Sequence, residues 1–400
     1  MSRLVFALLA TCALTGADHA ADPAPNVAAP VRVTVIADLD DDIYNARSGR
    51  GGVDATRMAV ADFGGAVLGR PIVVDALNDH NKPSEALGLA TQAYDAGAEL
   101  IMDAQNSPIA LAVAKIVAER RKLAISTGAA VPALTRAACS KYAYHYSFDS
   151  VAIETATAAY VAAQPHGKRW VAIVADAGFG RGALATVAPV VAEHGGEMVE
   201  SFVVPPDTAD LSAVLAEVKT LNPDVVAVFN AGASADIEIA AVTGAGLQAQ
   251  VTTALLYLSD VDRARDGYAG VQAAVPWYWN LDPAARAWAD RFAAAHEGLR
   301  PTAAQAADYS ATLQWLQAVR SAGTTDADAV VRTLDGHRFD DMFAHGGEWR
   351  ASDHMVVHDL YVVQVLPSAQ LAEPHGWYRV LATVPAATAF PAGTQCRMAP

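Results

Sequence analysis

The chain has 400 residues, of which 53% are hydrophobic and 18% charged, and its formal net charge at pH 7 is -15. This length exceeds what one hydrophobic core usually supports, so we expect two domains. The negative charge repels phosphate backbones and anionic lipid, which argues against nucleic acid as a partner. The balanced composition, without low-complexity segments, predicts a globular protein.

The N-terminus has the layout of a secretory signal peptide. Arg3 precedes the apolar run Leu4–Leu14, and small residues follow at Ala17–Ala21. The apolar run is too short to span a bilayer, and no later stretch reaches the length of a membrane-spanning helix. We therefore expect residues 1–21 to be removed and the mature protein to be exported without spanning the membrane.

The same local pattern occurs twice in the chain. An apolar strand, Ala-Asp, a glycine-containing loop, an amphipathic helix and a Gly-Gly stop appear in order at Val31–Gly65 and again at Arg169–Gly196. The repeat predicts two similar α/β lobes. Open parallel sheets bind ligands at the carboxyl ends of their strands, so two such lobes facing each other would form a binding cleft.

Strand-like runs alternate with helix-length segments, which predicts parallel sheets covered by helices on both faces. The predicted strands are Val31–Ala37, Ile72–Ala76, Leu100–Met102, Leu123–Ser126, Trp170–Val174, Glu197–Val204, Val225–Phe229 and Val251–Leu255. The predicted helices are Val53–Phe63, Pro83–Asp95, Ile109–Arg120, Gly182–Glu193, Asp210–Leu221 and Ser234–Gly244.

After Val275 the pattern changes. Three helices are predicted at Pro283–His296, Thr302–Ala322 and Asp326–Leu334, followed by a strand hairpin at Trp349–Val365. Helices that follow a completed second lobe must pack somewhere, and the first lobe is the natural place. The predicted boundaries are 31–147 plus 275–344 for the first lobe, 148–274 plus 345–370 for the second, and a tail, 371–400, that returns to the first.

If Cys12 leaves with the signal peptide, Cys139 and Cys396 remain as an even pair in an oxidising compartment. Neither has His or Cys neighbours at metal-binding spacing. We expect a disulfide between them that ties the C-terminal tail to the first lobe.

Four segments together resemble the type I periplasmic solute-binding proteins of ABC importers, in the branched-chain amino acid (leucine-binding) branch: Val31–Gly65, Met102–Thr135, Ala175–Gly182 and Asn222–Asp236. The resemblance implies an α/β fold with two Rossmann-like doubly wound lobes joined by three crossing segments. It also implies a periplasmic monomer without a cofactor, which closes around one small solute and is then presented to an ABC permease in the inner membrane.

Carried over residue by residue, the resemblance assigns seven residues to the ligand: Tyr44, Asn106, Ser107, Thr127, Gly128, Ala130 and Phe179. Tyr44 and Phe179 would supply aromatic contacts. The Ser107 hydroxyl and the backbone N–H groups of the turn at 127–130 would meet a ligand carboxylate. Tyr257, Asn230 and Trp277 are further candidates for the cleft.

The chain departs from the amino-acid binders of this family at three ligand-contacting positions. Ala130 replaces a threonine, the turn Asn230–Gly232 replaces an aromatic residue, and an apolar position near Leu255 stands where an acidic residue would hold the ligand's ammonium group. A buried ammonium without a carboxylate partner is costly. The prediction is therefore an aromatic or aliphatic carboxylic acid, with a branched-chain or other amino acid as the alternative. In that alternative, an acid of the loop Asp38–Asp42 or Asp260 would reach the amine.

Other interpretations remain open. Asp38 and Asp40–Asp42 form an acidic loop that would suit calcium, although a solvated acidic rim is commoner. Arg47 and Arg50 would suit an anionic ligand, and the loop Ser48–Gly52 would offer N–H groups to an anion.

Other features of the sequence bear on metal binding, catalysis and signalling. The spacing of His354 and His358 suits a metal on a helix, but their surroundings predict a turn and a strand. No catalytic motif is present, which argues against an enzyme. A sensor that presents its closed form to a receptor would have the same sequence features.

Overall fold

The computed structural model describes residues 29–40, 46–103, 106–391 and 396–398, with the backbone alone at 46–48 and 103. It confirms the α/β class, with two mostly parallel sheets flanked by helices. Among the helices of this described chain, none combines the length and apolar character that a membrane crossing requires. The predicted signal peptide and Tyr44 lie outside the described residues.

The strands are β1 (Val31–Ala37), β2 (Ala66–Val67), β3 (Arg70–Asn78), β4 (Ala98–Asp103), β5 (Leu123–Ser126), β6 (Ala143–His145), β7 (Arg169–Ala175), β8 (Glu197–Val204), β9 (Val225–Phe229), β10 (Gln250–Thr253), β11 (Gln272–Val275), β12 (Arg338–Phe339), β13 (Gly347–Trp349), β14 (Val356–Val357), β15 (Leu360–Val365) and β16 (Tyr378–Val384). The helices are α1 (Ala46–Phe63), α2 (Pro83–Asp95), α3 (Ser107–Arg120), α4 (Ser150–Ala163), α5 (Gly178–Glu193), α6 (Ser212–Leu221), α7 (Gly232–Gly244), α8 (Leu258–Ala264), α9 (Pro283–Ala295), α10 (Ala303–Ala322), α11 (Ala327–Leu334) and α12 (Ala386–Ala389).

The sheet of the first lobe has the strand order β2-β3-β1-β4-β5-β6. All neighbours are parallel except β2 and β3. Its central strand β1 is an almost continuous apolar run, and Val31, Val33, Val35 and Ile36 are fully buried. A parallel strand covered by helices on both faces requires such a run. The sheet therefore directs the carboxyl ends of β3, β1, β4 and β5 to one edge.

The sheet of the second lobe has the order β16-β15-β11-β10-β9-β7-β8. The strands β7 to β11 are parallel, whereas β15 and β16 add antiparallel strands at one edge. The repeated unit of the sequence forms the strand β7 and helix α5. The carboxyl ends of β7 and β9 lead into α5 and α7. In the first lobe, β1 and β4 likewise precede α1 and α3.

The segment 283–334 packs on helix α1 of the first lobe. Helix α9 contacts α1 through Arg291, whose guanidinium lies 2.7 Å from the Asp62 carboxylate, and α10 contacts it through Tyr309, whose hydroxyl donates to Asp62 at 2.6 Å. The helices pack closely, since a Cβ on Gly51 would lie 2.1 Å from the Gln305 side chain. The predicted loop Ser48–Gly52 is wrong, because these residues belong to α1.

Two other expectations about the C-terminal region are corrected. The segment Trp349–Val365 is not one hairpin, since β13 pairs with β14 in a small separate sheet and β15 joins the second lobe. The segment around Trp349 packs on the first lobe, with the Tyr144 and Trp349 ring centroids 5.0 Å apart.

The tail does not return directly to the first lobe, because β16 pairs with β15 at the edge of the second sheet. Only the end of the described chain reaches back. Cys396 forms the predicted disulfide with Cys139, with a Cα–Cα distance of 5.7 Å. The disulfide is confirmed, and it closes a loop across 257 residues of sequence.

Candidate functional site

A cavity of about 350 Å³ lies between the two lobes. Seven of the sequence-predicted candidates line it: Asn106, Ser107, Gly128, Ala130, Phe179, Tyr257 and Trp277. They come from both lobes and from the crossing segment after β11. The parallel strands explain this convergence, because the loops at their carboxyl ends meet at one edge of each sheet.

Two hydrogen-bonding groups from neighbouring loops meet on the wall of the first lobe. Ser107 is the first residue of α3, and the backbone N–H of Ala130 donates to its hydroxyl oxygen at 3.3 Å. Pro108 follows within the first turn, where its missing N–H costs nothing. The Ser107 hydroxyl remains able to donate, so this corner of the cavity offers a hydrogen-bond donor to an acceptor such as a carboxylate.

Four long helices, in addition to the short α8, direct their N-termini toward the cavity. The residues that line it at the starts of α3, α5, α7 and α10 are Ser107, Phe179, Gly232 and Ala303. The N–H groups of a first helical turn are not bonded within the helix and carry a partial positive charge. Their convergence favours a negatively charged group on a bound molecule.

Most of the remaining wall is apolar. Its larger side chains are Phe148, Ile153, Phe179, Leu255, Leu256, Tyr257, Trp277 and Trp279. The indole N–H of Trp277 donates to the Met342 carbonyl at 2.8 Å, and that of Trp279 to the His375 carbonyl at 3.1 Å. Because these polar atoms are satisfied outside the cavity, the two tryptophans contribute apolar surface to it.

Among the described residues, three carboxyl groups also line the cavity: Asp38, Asp79 and Asp260. The expectation that the cleft lacks an acid for an ammonium group is therefore wrong, although Leu255 itself is apolar and lines the cavity as expected. Sequence reasoning identified Asp38 and Asp260 as possible partners but missed Asp79. Its position directly after β3 is the signal that would have identified it, because the neighbouring strand β1 ends in the same place.

The environment of these acids differs between the lobes. In the second lobe the Arg263 guanidinium lies 3.0 Å from Asp260 and 2.5 Å from Asp236. Burial raises the pKa of Asp260 to about 6, although Arg263 opposes this shift. In the first lobe, burial raises the pKa of Asp79, and the charge of Asp38 adds to the effect.

Two candidate residues do not line the cavity. The Thr127 hydroxyl donates to the Asp308 carboxylate at 2.6 Å, beneath the turn that carries Gly128 and Ala130. The Asn230 amide donates to the Glu238 carboxylate at 3.0 Å, and its oxygen accepts from the N–H of Ala231. Both side chains position the cavity-lining residues that follow them.

The histidine pair does not form a common site. The His354 ring stacks on Tyr144 at 4.1 Å, whereas His358 contacts the Ser147 carbonyl at 2.6 Å. Within the residues that the structure describes, no group of three His, Cys, Asp or Glu is placed to hold a metal ion.

The polar residues near the first loop have local partners. The Asp40 carboxylate lies 2.5 Å from the His80 ring, and the Arg50 guanidinium donates to the Leu39 carbonyl at 2.6 Å. Asp41, Asp42 and the side chain of Arg47 lie outside the described part of the chain.

Comparison with known proteins identifies the fold and the family. The family model described as periplasmic binding protein matches residues 30–370. The chain belongs to the periplasmic binding protein family. This confirms the resemblance to the leucine-binding branch of type I solute-binding proteins. The family binds small-molecule solutes and works with ABC permeases.

Three relatives illustrate the similarity. A Leu/Ile/Val-binding protein, BraC3 of Rhizobium johnstonii, is 30% identical over 165 residues, which is 40% of this periplasmic binding protein and 44% of the relative. The match thus spans less than half of that relative. A periplasmic binding protein from Burkholderia mallei is 33% identical, with a TM-score of 0.81 and coverage of 92% of this chain and 98% of that one. A branched-chain amino acid ABC transporter ligand-binding protein from Burkholderia xenovorans is 29% identical, with a TM-score of 0.86 and coverage of 90% and 97%.

Proposed function

We propose that this protein is the periplasmic substrate-binding component of an ABC importer and that it captures a small carboxylic acid with an aromatic or aliphatic body. The observation that carries this proposal is the corner formed by the Ser107 hydroxyl and the Ala130 N–H, at the N-terminus of α3. Because the Ala130 N–H already donates to Ser107, the Ser107 hydroxyl is the group of this corner that can donate to a carboxylate, beside a largely apolar wall. The cavity volume of about 350 Å³ suits a small molecule.

The mechanism is capture by closure of the two lobes. Ser107 belongs to the first lobe and Phe179 to the second, and both line the cavity. A ligand that contacts both walls binds the closed form better than the open form, and this difference in affinity drives closure. The closed form is then recognised by a permease, and the solute is released unchanged.

Export through a signal peptide at residues 1–21 would place the protein in the periplasm. The name of the B. xenovorans neighbour, a ligand-binding protein of an ABC transporter, supports import as the role. A sensor would bind the same solute but would require a receptor in place of the permease. Deletion of the cognate permease abolishes uptake of the solute only if the role is import.

A second candidate ligand is a branched-chain amino acid. It is favoured by Asp260, which lines the second-lobe wall and supplies a carboxylate for an α-ammonium group. The names of the Rhizobium and B. xenovorans relatives refer to such amino acids. Leucine and 4-methylpentanoate differ only by the amino group, so their relative affinities distinguish the two candidates.

Calorimetric titration of the mature protein with benzoate, 4-methylpentanoate, leucine and valine tests the proposal. We expect Ser107→Ala to weaken binding of the acid with the highest affinity by about 1–3 kcal/mol, because one carboxylate oxygen loses its partner. The exposed Ser212 lies on α6 away from the cavity, so Ser212→Ala is the matched control. Unchanged affinity in Ser107→Ala would show that Ser107 does not bind the ligand carboxylate.

A further inference from the structure

The charged side chains on the cavity wall are unevenly distributed between the lobes. Among the described residues that line it, the second lobe contributes Asp260 together with Arg263, whereas the first lobe contributes Asp38 and Asp79 and no cation. A simple carboxylic acid would bring a further negative charge to this wall. The first lobe therefore presents an electrostatic feature that the donors at Ser107 do not explain.

Asp38 is the central residue of this wall. It follows β1, is 9% exposed, and accepts the N–H of Asp40 on its Oδ1 atom at 3.0 Å. Its Oδ2 atom is buried without a hydrogen-bond partner. The backbone here is fixed by α1, because a Cβ on Gly49 would lie 2.0 Å from the Asp38 carbonyl oxygen. Burial of a carboxylate oxygen costs free energy unless the oxygen accepts a hydrogen bond. A ligand group that donates to this atom would therefore be stabilising.

The neighbouring groups are also acceptors. Asp79 is 2% exposed and accepts the N–H of Asn81 at 2.8 Å. The Asn106 amide donates to the Asn81 side-chain oxygen at 2.6 Å, which leaves the Oδ1 atom of Asn106 buried without a partner. Two unpartnered acceptors and two carboxyl groups thus lie on one wall. A positively charged donor is the ligand group that satisfies all of them.

The order of the strands separates this wall from the carboxylate corner. Asp79 and Asp38 follow the adjacent strands β3 and β1, while Ser107 and Ala130 follow the next two strands, β4 and β5. Neighbouring strands are about 4.8 Å apart, so the Asp79–Asp38 pair and the Ser107–Ala130 pair are centred about 10 Å apart, or two strand spacings. Asn106 lies at the near edge of the acidic wall, next to Ser107. The amino and carboxylate groups of an α-amino acid are joined through a single carbon atom, so a ligand with a longer spacer between its two charged groups matches this separation better.

We propose, resting on the proposed function, that Asp38, Asp79 and Asn106 form a subsite for a basic nitrogen at the far end of the solute from its carboxylate. The solute is then an elongated amino carboxylic acid, with an ammonium, amidinium or guanidinium group several bonds from the carboxylate. A metal ion is a poorer occupant, because no three described His, Cys, Asp or Glu residues are arranged to ligate one. The apolar side chains of the cavity would contact the connecting chain or ring.

Matched probe pairs test this subsite in the wild-type protein. 4-(Aminomethyl)benzoate is compared with 4-methylbenzoate, and 6-aminohexanoate with hexanoate, by calorimetric titration. We expect the aminated member of at least one pair to bind at least tenfold more tightly. Equal or weaker binding of the aminated members overturns the subsite, while binding of any of these acids still supports the proposed function. If none of the acids binds, the proposed function itself fails.

The variant Asp38→Asn keeps the size of the side chain but removes its charge. We expect it to reduce the aminated-to-unaminated affinity ratio at least tenfold, whereas Asp207→Asn, on an exposed loop of the second lobe, leaves the ratio unchanged. If Asp38→Asn leaves this affinity ratio unchanged, the assignment of Asp38 to the subsite is overturned. Thermal stabilisation by calcium alone that is lost in Asp38→Asn would also overturn it in favour of a metal. If this variant does not fold, the wild-type ratio alone decides.

Discussion

The Thr127 hydroxyl donates a hydrogen bond of 2.6 Å to the carboxylate of Asp308, and both side chains are fully buried. The bond joins the turn after β5 to helix α10, which returns to the first lobe from the far end of the sequence. Burial raises the pKa of Asp308 to about 7. Thr127 therefore acts on the cavity indirectly, by holding the turn that carries Gly128 and Ala130.

Removal of the Thr127 hydroxyl should destabilise the first lobe. Thr127→Val keeps the shape of the side chain but leaves the Asp308 Oδ1 atom without its donor, which costs about 1–3 kcal/mol. Urea unfolding followed by circular dichroism measures this loss. The half-buried Thr208 donates to the nearby Pro205 carbonyl, so Thr208→Val is the control and should change stability less. Equal stability of Thr127→Val and wild type would contradict the role given to the bond.

Buried Glu154 should make the protein less stable as the pH rises. Its burial on α4 raises its pKa to about 8, from 4.5 in the unfolded chain. Between these values the unfolded state releases the proton and the folded state retains it, so the free energy of unfolding falls from pH 4.5 to pH 8. One pKa unit corresponds to about 1.4 kcal/mol, so the loss is a few kcal/mol at most.

Glu154→Gln tests this dependence. The neutral amide removes the titrating group, so the unfolding free energy of the variant should decline less over this range than that of the wild type. Glu217→Gln on the exposed face of α6 serves as the control and should follow the wild-type profile. Parallel profiles for wild type and Glu154→Gln between pH 5 and pH 8 would show that Glu154 does not contribute.

The sequence predicted the parallel core strands best. The bounds of β1, β5, β8 and β9 agree with the structure. β1, β5 and β9 are compact, buried and mostly apolar runs, whereas β8 is an edge strand with polar residues among its apolar ones. Helix α4 was missed. Its buried residues lie on all sides of the helix, so no polar face reveals the helical periodicity in the sequence. They include Ala152, Ile153, Ala156, Thr157 and Val161.

Long-range pairing was the other source of error. Strand β16 is only partly buried along its length and is defined by its antiparallel pairing with β15. The family resemblance assigned Ser107 and Phe179 to the ligand, and both lie at helix starts that line the cavity. The directions of the Thr127 and Asn230 side chains were not predicted. They depend on hydrogen-bond partners on helices, Asp308 for Thr127 and Glu238 for Asn230.

The disulfide between Cys139 and Cys396 should stabilise the folded protein. It closes a long loop and so restricts the unfolded chain, an effect that is typically about 2–4 kcal/mol. Cys139→Ser should lower the free energy of unfolding by about this amount, and the double variant with Cys396→Ser should lose no more. A reducing agent should destabilise the wild type alone. Destabilisation of the double variant by the same reagent would show that it acts elsewhere.

Gly180 and Gly182 lie two residues apart in the first turns of α5 but differ in their surroundings. A Cβ on Gly180 would lie 2.5 Å from the carbonyl oxygen of Ala175 and 2.6 Å from that of Phe229, while nothing lies within 4 Å of a Cβ on Gly182. The obstacles at Gly180 are backbone atoms of β7 and β9, so they cannot rotate away. The helix must instead shift, together with Phe179 on the cavity wall.

We therefore expect Gly180→Ala to lower the free energy of unfolding by about 1–3 kcal/mol through overpacking and to weaken ligand binding. Gly182→Ala should stabilise the protein by up to about 1 kcal/mol, since alanine is the better helix former. Chemical unfolding and calorimetric titration of the two variants measure both effects. If Gly180→Ala binds as tightly as Gly182→Ala, the start of α5 does not position Phe179 for the ligand.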